Sequence, residues 1–317
     1  MKRSLLILSC LLIVMMTGCG DKNTDKNVDS KGNAIATEKS VDNDSTDNTS
    51  SNKDVENKCA YKMIRKIYSS DNTLKNKSEV EFNSEGNELK ETRYDKNGNL
   101  LSYAITEYNE DNKKVKYGSY DEEGNEKYSY SYEYNKQGDL IKEVEKNEEE
   151  TDVRVYEYEY TDKGQIENRV LFENDEFSYE KRFTYDDKGN LIKEESFNEE
   201  GQSNIVFEYT YDNNNNVIGE KYQGPSLTMV TEKRYDANGN EIESMTFEND
   251  NSYPSIWSTY EYDEKGNCIK SNSVDIDGII DSWKIMEYDD KGREIKCTSH
   301  TIEGLESIRE CEYVEME

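Results

Sequence analysis

A six-residue unit, aromatic-Asp/Asn-x-x-Gly-Asn, recurs along most of the chain and constrains the fold more than any other feature. Units that fit it closely begin at Tyr94, Tyr120, Tyr134, Tyr160, Tyr185, Phe197, Tyr235, Tyr262 and Tyr288. Variants of the unit begin at Phe82 and Val274. Neighbouring units start about 13 residues apart, a spacing typical of a structural repeat. The chain is therefore predicted to reverse its direction at each unit.

The residues of the unit match the chemistry of a tight hairpin turn. Asp at its second position accepts hydrogen bonds from nearby backbone N–H groups, and Gly three residues later suits a left-handed backbone conformation. Two units carry Asn112 and Asn215 in place of this Gly. Asn tolerates the left-handed region better than other non-glycine residues, so both exceptions support the turn prediction.

Between the turns, aromatic residues alternate with polar ones. Tyr128, Tyr130 and Tyr132 lie two residues apart, and the same spacing recurs on later segments. A period of two predicts strands. We therefore expect residues 59–317 to form an all-β domain of about 20 strands, because sequential strands usually pair with their neighbours. The expected architecture is an elongated antiparallel meander that twists and curls or coils.

The register of the strands can be predicted from the turns. If each turn closes symmetrically, Tyr185 faces Leu191, Tyr211 faces Val217, and Tyr179 faces Phe197. Apolar side chains then meet across the strands on one aromatic face, and the other face is polar.

The composition restricts the partners. Of the 317 residues, 32% are hydrophobic and 35% are charged, and the formal net charge is −30. A surface this negative repels nucleic acid, so we expect no nucleic-acid partner and favour neutral, cationic or metal-ion partners.

The N-terminus has the layout of an export signal. Lys2 and Arg3 precede the apolar run Leu5–Met16, which is too short for a stable transmembrane helix. The sequence Met16-Thr17-Gly18-Cys19 resembles the bacterial lipobox, which implies cleavage after residue 18 and lipidation of Cys19. Residues 19–58 are polar and are predicted to be a disordered tether. We therefore expect a protein that is lipid-anchored on the extracytoplasmic face of the cell membrane.

The repeated units resemble the YD repeats of Rhs and related bacterial cell-surface proteins, from Phe82 to about Ile295. The resemblance implies an extended or wrapped β-sheet, with carbohydrate binding as a suggested role. The period here is longer than in Rhs chains, and the chain ends in a hairpin near Thr301 rather than in a toxin. Together, the lipobox-like sequence and the YD-like array resemble those of small YD-repeat lipoproteins.

Aromatic side chains are the main candidates for a ligand site, because sugar rings stack on them. The candidates are Trp257, Trp283, Tyr209 and Tyr211, of which the tryptophans depart from the tyrosine consensus. The alternative is that these rings are the sheet's own core. His300 is the only histidine and has no catalytic motif near it, so we expect no enzyme and no cofactor. The turn conformation by itself requires Asp, Asn and Gly, so the acidic residues of the turns do not indicate metal binding. No metal site is predicted.

Two further expectations concern the cysteines and the function. Cys297 and Cys311 are candidates for a disulfide, because a hairpin at Thr301 would place them diagonally on one face. The expected function is a surface binding module for a carbohydrate or cell-wall polymer. The alternative is an envelope scaffold that binds an envelope protein and no small ligand.

Overall fold

A computed structural model describes residues 58–316, and the predicted signal peptide, Cys19 and nearly all of the predicted tether lie outside this range. The described part is all-β, with 20 strands in one antiparallel sheet. This confirms the predicted fold class and strand number. Residues 58–316 contain no helix that is long and apolar enough to cross a membrane.

The strands are numbered in chain order. Their bounds are β1 Tyr61–Ser69, β2 Leu74–Phe82, β3 Glu88–Asp95, β4 Leu100–Tyr108, β5 Lys114–Asp121, β6 Glu126–Tyr134, β7 Leu140–Asn147, β8 Thr151–Tyr160, β9 Ile166–Glu173, β10 Glu176–Tyr185, β11 Leu191–Phe197, β12 Ser203–Tyr211, β13 Val217–Gln223, β14 Thr228–Tyr235, β15 Glu241–Glu248, β16 Ile256–Tyr262, β17 Cys268–Val274, β18 Ile280–Tyr288, β19 Glu294–Thr301 and β20 Gly304–Glu315.

The sheet closes into a barrel. β1 pairs with β2 on one side and with β20 on the other, so that Met63 faces both Val80 and Tyr313. Every other strand pairs with its neighbours in sequence. The prediction of an elongated, open meander is therefore wrong, although the order of strand pairing is as expected.

A recurring bulge explains the closure. Tyr185 faces Leu191 as predicted, but the preceding Thr184 faces Lys193, so one residue of β11 is skipped. The same shift directly precedes the first residue of every six-residue turn from Phe82 to Tyr288. Bulges bend a strand and increase its twist, and repeated bulges curve a sheet until it can close.

The bulge also changes the predicted register. Tyr211 faces Val217 as expected. Phe197, however, faces Glu180 rather than Tyr179. Because one extra residue moves the following side chains to the other face, the aromatic residues of successive turns point to opposite faces. The prediction of a single aromatic face is therefore wrong.

We call the side that carries Tyr185 and Tyr211 the tyrosine face, and the side that carries Phe197 the opposite face. On β10, Tyr185 is half-buried, whereas Arg182 and Thr184 of the opposite face are exposed. Side chains converge on the concave side of a closed sheet and spread apart on the convex side. We therefore infer that the tyrosine face lines the interior.

The two ends of the barrel differ in their turns. Even-numbered strands from β2 to β18 end at one end, where every turn has the six-residue form, and we call this the regular rim. Odd-numbered strands end at the other end, the variable rim. Five turns have the six-residue form there, and they begin at Tyr68, Tyr94, Tyr120, Phe197 and Val274.

Eight tyrosine hydroxyls stabilise the regular rim. Each of the eight donates a hydrogen bond to a backbone carbonyl at the start of the preceding strand, about 20 residues earlier in the sequence. The pairs are Tyr134 to Lys114 (2.7 Å), Tyr158 to Leu140 (2.7 Å), Tyr185 to Ile166 (2.8 Å), Tyr211 to Leu191 (2.6 Å), Tyr235 to Val217 (2.8 Å), Tyr262 to Glu241 (2.8 Å), Tyr288 to Cys268 (2.7 Å) and Tyr313 to Glu294 (3.1 Å). Half-buried rings thus satisfy backbone groups beside the turns.

Candidate binding surface around two tryptophans

The two tryptophans lie on the opposite face, on either side of β17. Trp257 is on β16 and Trp283 is on β18. On β17, Asn272 faces Thr259 of β16 and Trp283 of β18 directly. Two strand spacings and two residues separate the tryptophans, which places their Cα atoms roughly 12 Å apart. The fold therefore brings together two residues that are distant in sequence.

Trp257 is held at both edges of its indole ring. Its Nε1 donates a hydrogen bond to Oε1 of Glu243 on β15 at 3.0 Å. At the other edge, its Cζ3 lies 3.5 Å from the position of a Cβ built on Gly278, in the turn after β17. The ring therefore spans from β15 to this turn, and a larger residue at position 278 would contact it.

Trp283 stacks on the only histidine. The rings of Trp283 and His300 are parallel within 1°, with centroids 5.2 Å apart. His300 Nε2 also forms a hydrogen bond with the hydroxyl of Thr298 at 2.9 Å. The histidine therefore supports the indole from β19.

Asn272 is the polar centre of the surface. Its side chain is only 6% exposed, and its Nδ2 donates to the Thr259 hydroxyl at 2.9 Å. Its Oδ1 is buried and has no hydrogen-bond partner. A buried acceptor without a donor costs about 1–3 kcal/mol. We call Trp257, Asn272, Trp283 and His300 the tryptophan patch.

Exposed apolar side chains lie in the turns of the variable rim near the patch. Ile276 and Ile279 lie in the turn after β17, and Ile302 lies in the turn after β19. They are 62%, 60% and 77% exposed. Exposed apolar residues that lie close together are characteristic of an interaction surface.

The other two candidate aromatics lie elsewhere. Tyr209 and Tyr211 are on β12, on the tyrosine face. The Tyr211 hydroxyl is used by its bond to the Leu191 carbonyl. Burial, followed by the charge of Glu194, raises the pKa of Tyr209 to about 12. The structure therefore separates these tyrosines from the tryptophans and gives Tyr211 a structural contact.

The acidic turns use their carboxylates internally. Asp95 accepts bonds from the backbone N–H of Asn97 and of Asn99, each at 2.8 Å, and from the Asn99 side chain at 2.8 Å. These bonds lower the pKa of the Asp95 carboxyl. Within residues 58–316, no group of three or more His, Cys, Asp or Glu side chains is arranged to bind a metal ion.

The cysteine pair has the predicted relative position. Cys297 faces Arg309, and Cys311 lies two residues further along β20 on the same face. Both are thiols in the structure. The disulfide remains a prediction, because a diagonal pair must move closer for its Cβ atoms to reach bonding distance.

Comparisons with known proteins identify only weak structural similarity. No protein-family model and no curated protein sequence matches the chain. The crystal structure of TcdB2-TccC3-TEV aligns with 77% of this chain and 14% of its own, at 15% identity and a TM-score of 0.37. The Photorhabdus luminescens Tc holotoxin pore aligns with 73% of this chain and 16% of its own, at 12% identity and a TM-score of 0.30.

A porin-like protein from Bacteroides uniformis aligns with 81% of this chain and 98% of its own, at 10% identity and a TM-score of 0.36. The chain thus spans a small part of the length of the Tc toxin chains that it matches. The structural neighbours include Tc toxin chains, while membership of the YD-repeat family remains a prediction.

Sequence reasoning named the tryptophans as candidates but did not name Asn272 or Glu243, which lie beside them. Both are single polar residues in strands that are rich in polar residues, so neither differs from its surroundings in the sequence. The turn spacing alone gives no usable signal, because symmetric turns at Tyr262 and Val274 would place Asn272 opposite Ser258 and Ser282. The bulges shift it to face Thr259 and Trp283.

Proposed function

We propose that this chain is a lipid-anchored protein of the extracytoplasmic membrane face that binds a carbohydrate or cell-wall polymer at the tryptophan patch. The observation that carries the proposal is the position of the buried, unpartnered Oδ1 of Asn272 beside Trp283. The YD-like repeats and the lipobox-like N-terminus support the same placement at the cell surface.

The chemistry of the patch suits a sugar. The apolar C–H face of a sugar ring packs on an indole ring, and a sugar hydroxyl is a donor that Asn272 Oδ1 lacks. With Cα atoms roughly 12 Å apart, the two tryptophans can contact successive units of one polymer. The net charge of −30 favours neutral or cationic glycans over anionic ones.

Binding to polymers tests the proposal. The full-length protein in detergent is incubated with insoluble peptidoglycan, chitin and cellulose, and the bound fraction is measured against protein concentration. Trp283→Ala and Asn272→Ala are expected to weaken binding at least tenfold, because each removes more than about 1.4 kcal/mol of contact energy. Tyr128→Ala, which removes a ring from the tyrosine face, is the matched control and should bind normally.

Two results would contradict the proposal. One is no retention on any polymer by a protein whose circular dichroism shows the β-fold. The other is equal loss of binding in the Tyr128→Ala control. The anchor is tested separately: Cys19→Ala should move the protein from the membrane fraction to the soluble fraction.

The second candidate function is an envelope scaffold that binds a protein. The exposed isoleucines Ile276, Ile279 and Ile302 favour it, because they add apolar area beside the patch. Cross-linking in intact cells should then capture one protein neighbour, and Ile279→Ser with Ile302→Ser should abolish this capture without changing polymer binding.

A further inference from the structure

A cluster of buried side chains in the barrel is built of sulfur-containing residues. Cys268, Met286 and Cys297 are 5%, 6% and 6% exposed and pack against one another. They come from three consecutive strands, β17, β18 and β19. An ordinary core at this position would consist of Val, Ile or Leu, and the rest of the chain supplies such residues to its strands.

The three side chains share the tyrosine face. Met286 faces Cys297 directly across β18 and β19. Cys268 begins β17, on the other side of Met286, and contacts the same cluster. Tyr260, Tyr262 and Tyr288 pack around the three residues. The thioether of Met286 is thus flanked by a thiol on each side.

Charged side chains of both signs lie beside the cluster. Burial raises the pKa of the Cys297 thiol, and the carboxylate of Glu294 acts in the same direction. Arg309, which faces Cys297 from β20, and Lys284 oppose this rise. Arg309 forms a double hydrogen bond with Glu294, which fixes the guanidinium near the cluster.

We propose that Cys268, Met286 and Cys297 bind one soft monovalent metal cation, Cu(I) or Ag(I), through two thiolates and one thioether. Thiolate and thioether sulfurs are the ligands that Cu(I) prefers. On binding, the two S–H protons leave to solvent and the sulfurs donate electron pairs to the cation, with no change of oxidation state. The site would then carry one negative charge and would lie beside the ion pair of Arg309 and Glu294.

This site differs in chemistry from a metal site built of three or more His, Cys, Asp or Glu side chains, of which residues 58–316 contain none. It has two cysteine ligands, and its third ligand is a methionine. Harder cations such as Ca²⁺ and Mg²⁺ prefer carboxylate and carbonyl oxygens, which this cluster does not present. The competing interpretation is that the cysteines and methionine only fill space as small apolar side chains.

Competition with a chelator tests the proposal. The full-length protein, reduced and kept under argon, is titrated with Cu(I) in the presence of bathocuproine disulfonate, and the chelated fraction is read by absorbance. We expect one Cu(I) per chain to resist the chelator. Met286→Leu conserves side-chain volume, so the fold should persist while affinity falls at least tenfold.

Matched variants separate metal binding from folding. Met229→Leu changes a methionine of β14 and Cys59→Ser changes a cysteine before β1, and neither should alter the affinity. Ag(I) should raise the melting temperature of the wild type more than that of Met286→Leu, because a ligand stabilises the folded state according to its affinity. Sulfur ligation is read from the X-ray absorption spectrum of the bound metal.

The proposal is overturned if Met286→Leu and the double variant Cys268→Ala with Cys297→Ala retain wild-type affinity. It is also overturned if Cys59→Ser alone removes the resistant Cu(I). The variants of the sulfur cluster should bind polymer like the wild type, because the tryptophan patch lies on the opposite face. Failure of the metal proposal therefore leaves the proposed function untouched.

Discussion

The two rims of the barrel are built from the same kind of strand but from different turns. At the regular rim every turn has six residues, and a side chain of one turn often contacts the next turn around the barrel. Asn190 Nδ2, for example, donates to Oδ1 of Asn215, which lies 25 residues later, at 3.2 Å. The variable rim combines six-residue turns with shorter and longer ones, such as the loop between Glu248 and Ile256.

The difference indicates a division of roles. The regular rim continues across the junction of the chain ends, where Arg293 lies 4.2 Å from the centre of the Tyr313 ring and bonds to Glu315. The variable rim carries the exposed turn residues Ile279 and Ile302 near the tryptophan patch. We infer that one rim maintains the closed sheet, which leaves the other free to vary in sequence.

The largest expected effect is loss of the fold at alkaline pH. Burial raises the pKa of Tyr132, Tyr209 and Tyr313 to about 12, above the value near 10 of an unfolded chain. The folded state therefore keeps protons that the unfolded state releases. Stability from these groups is complete below about pH 10 and is lost as the pH rises towards 12.

Tyrosinate absorbance at 295 nm and circular dichroism, recorded from pH 8 to 13, should change together above pH 10. Sodium chloride controls at each pH separate ionisation from general charge repulsion. Ionisation of most tyrosines near pH 10 with an unchanged β-signal would show that the tyrosine face does not support the regular rim.

A smaller effect is expected from single tyrosines, and it should differ between the rims. Tyr235→Ala removes a packed ring and the 2.8 Å bond to the Val217 carbonyl, so the free energy of unfolding should fall by about 2–3 kcal/mol. Tyr120→Ala at the variable rim removes a ring stacked on Tyr103 but no carbonyl bond, and should cost about 1 kcal/mol. Urea unfolding measures both, and equal losses would remove the distinction between the rims.

The turns, the strands and the order in which the strands pair could be predicted from the sequence. Asp and Gly in the unit determine the turn, as shown by Asp186, which accepts bonds from the backbone of Lys188 and Asn190. The substitutes Asn112 and Asn215 have φ values of 58° and 64°, in the left-handed region as predicted. These features are local, so residue chemistry decides them.

Closure and register could not be predicted in the same way. The bulge beside Leu191 depends on how two strands pair, and no residue type in the sequence marks it. Without the bulge, the expected pairing of Tyr179 with Phe197 gives a sheet with one aromatic face and two free edges. The position of Asn272 between the tryptophans was missed for the same reason, since it depends on three strands being in register.

Glycine substitutions should affect the two rims equally. Gly239 at the regular rim and Gly98 at the variable rim have φ values of 80° and 86°. A Cβ at Gly239 would lie 3.8 Å from Asn216 Oδ1, and one at Gly98 would meet nothing within 4 Å. Alanine should therefore cost about 1–2 kcal/mol at each site, through backbone strain alone.

Urea unfolding of Gly239→Ala and Gly98→Ala tests this equality. Gly239→Asn should recover part of the loss, because Asn tolerates the left-handed region. A much larger loss at Gly239 would show that the rims differ within the turns and not only in the contacts between them.

The smallest expected effect comes from removing a single contact between neighbouring turns, and it tests most directly whether such contacts stabilise the regular rim. Gln165 and Gln202 occupy the same final position in turns of the regular and the variable rim. Gln165 Nε2 donates to the Gly189 carbonyl of the next regular-rim turn at 2.9 Å, whereas the Gln202 side chain accepts a bond from Asn198 of its own turn, at 3.4 Å. Gln165→Ala should lower the free energy of unfolding by about 1 kcal/mol, and Gln202→Ala by about 0.5 kcal/mol or less.

Both glutamines keep their backbone N–H bond to the turn when the side chain is shortened, so the turns themselves should remain intact. Hydrogen exchange then gives the more specific result. If the contact between turns holds the regular rim, Gln165→Ala should speed exchange in the turn containing Gly189 as well as in its own turn, whereas Gln202→Ala should affect only its own. Faster exchange confined to the mutated turn in both variants would mean that each turn is stable by itself and that closure depends on strand pairing and bulges alone.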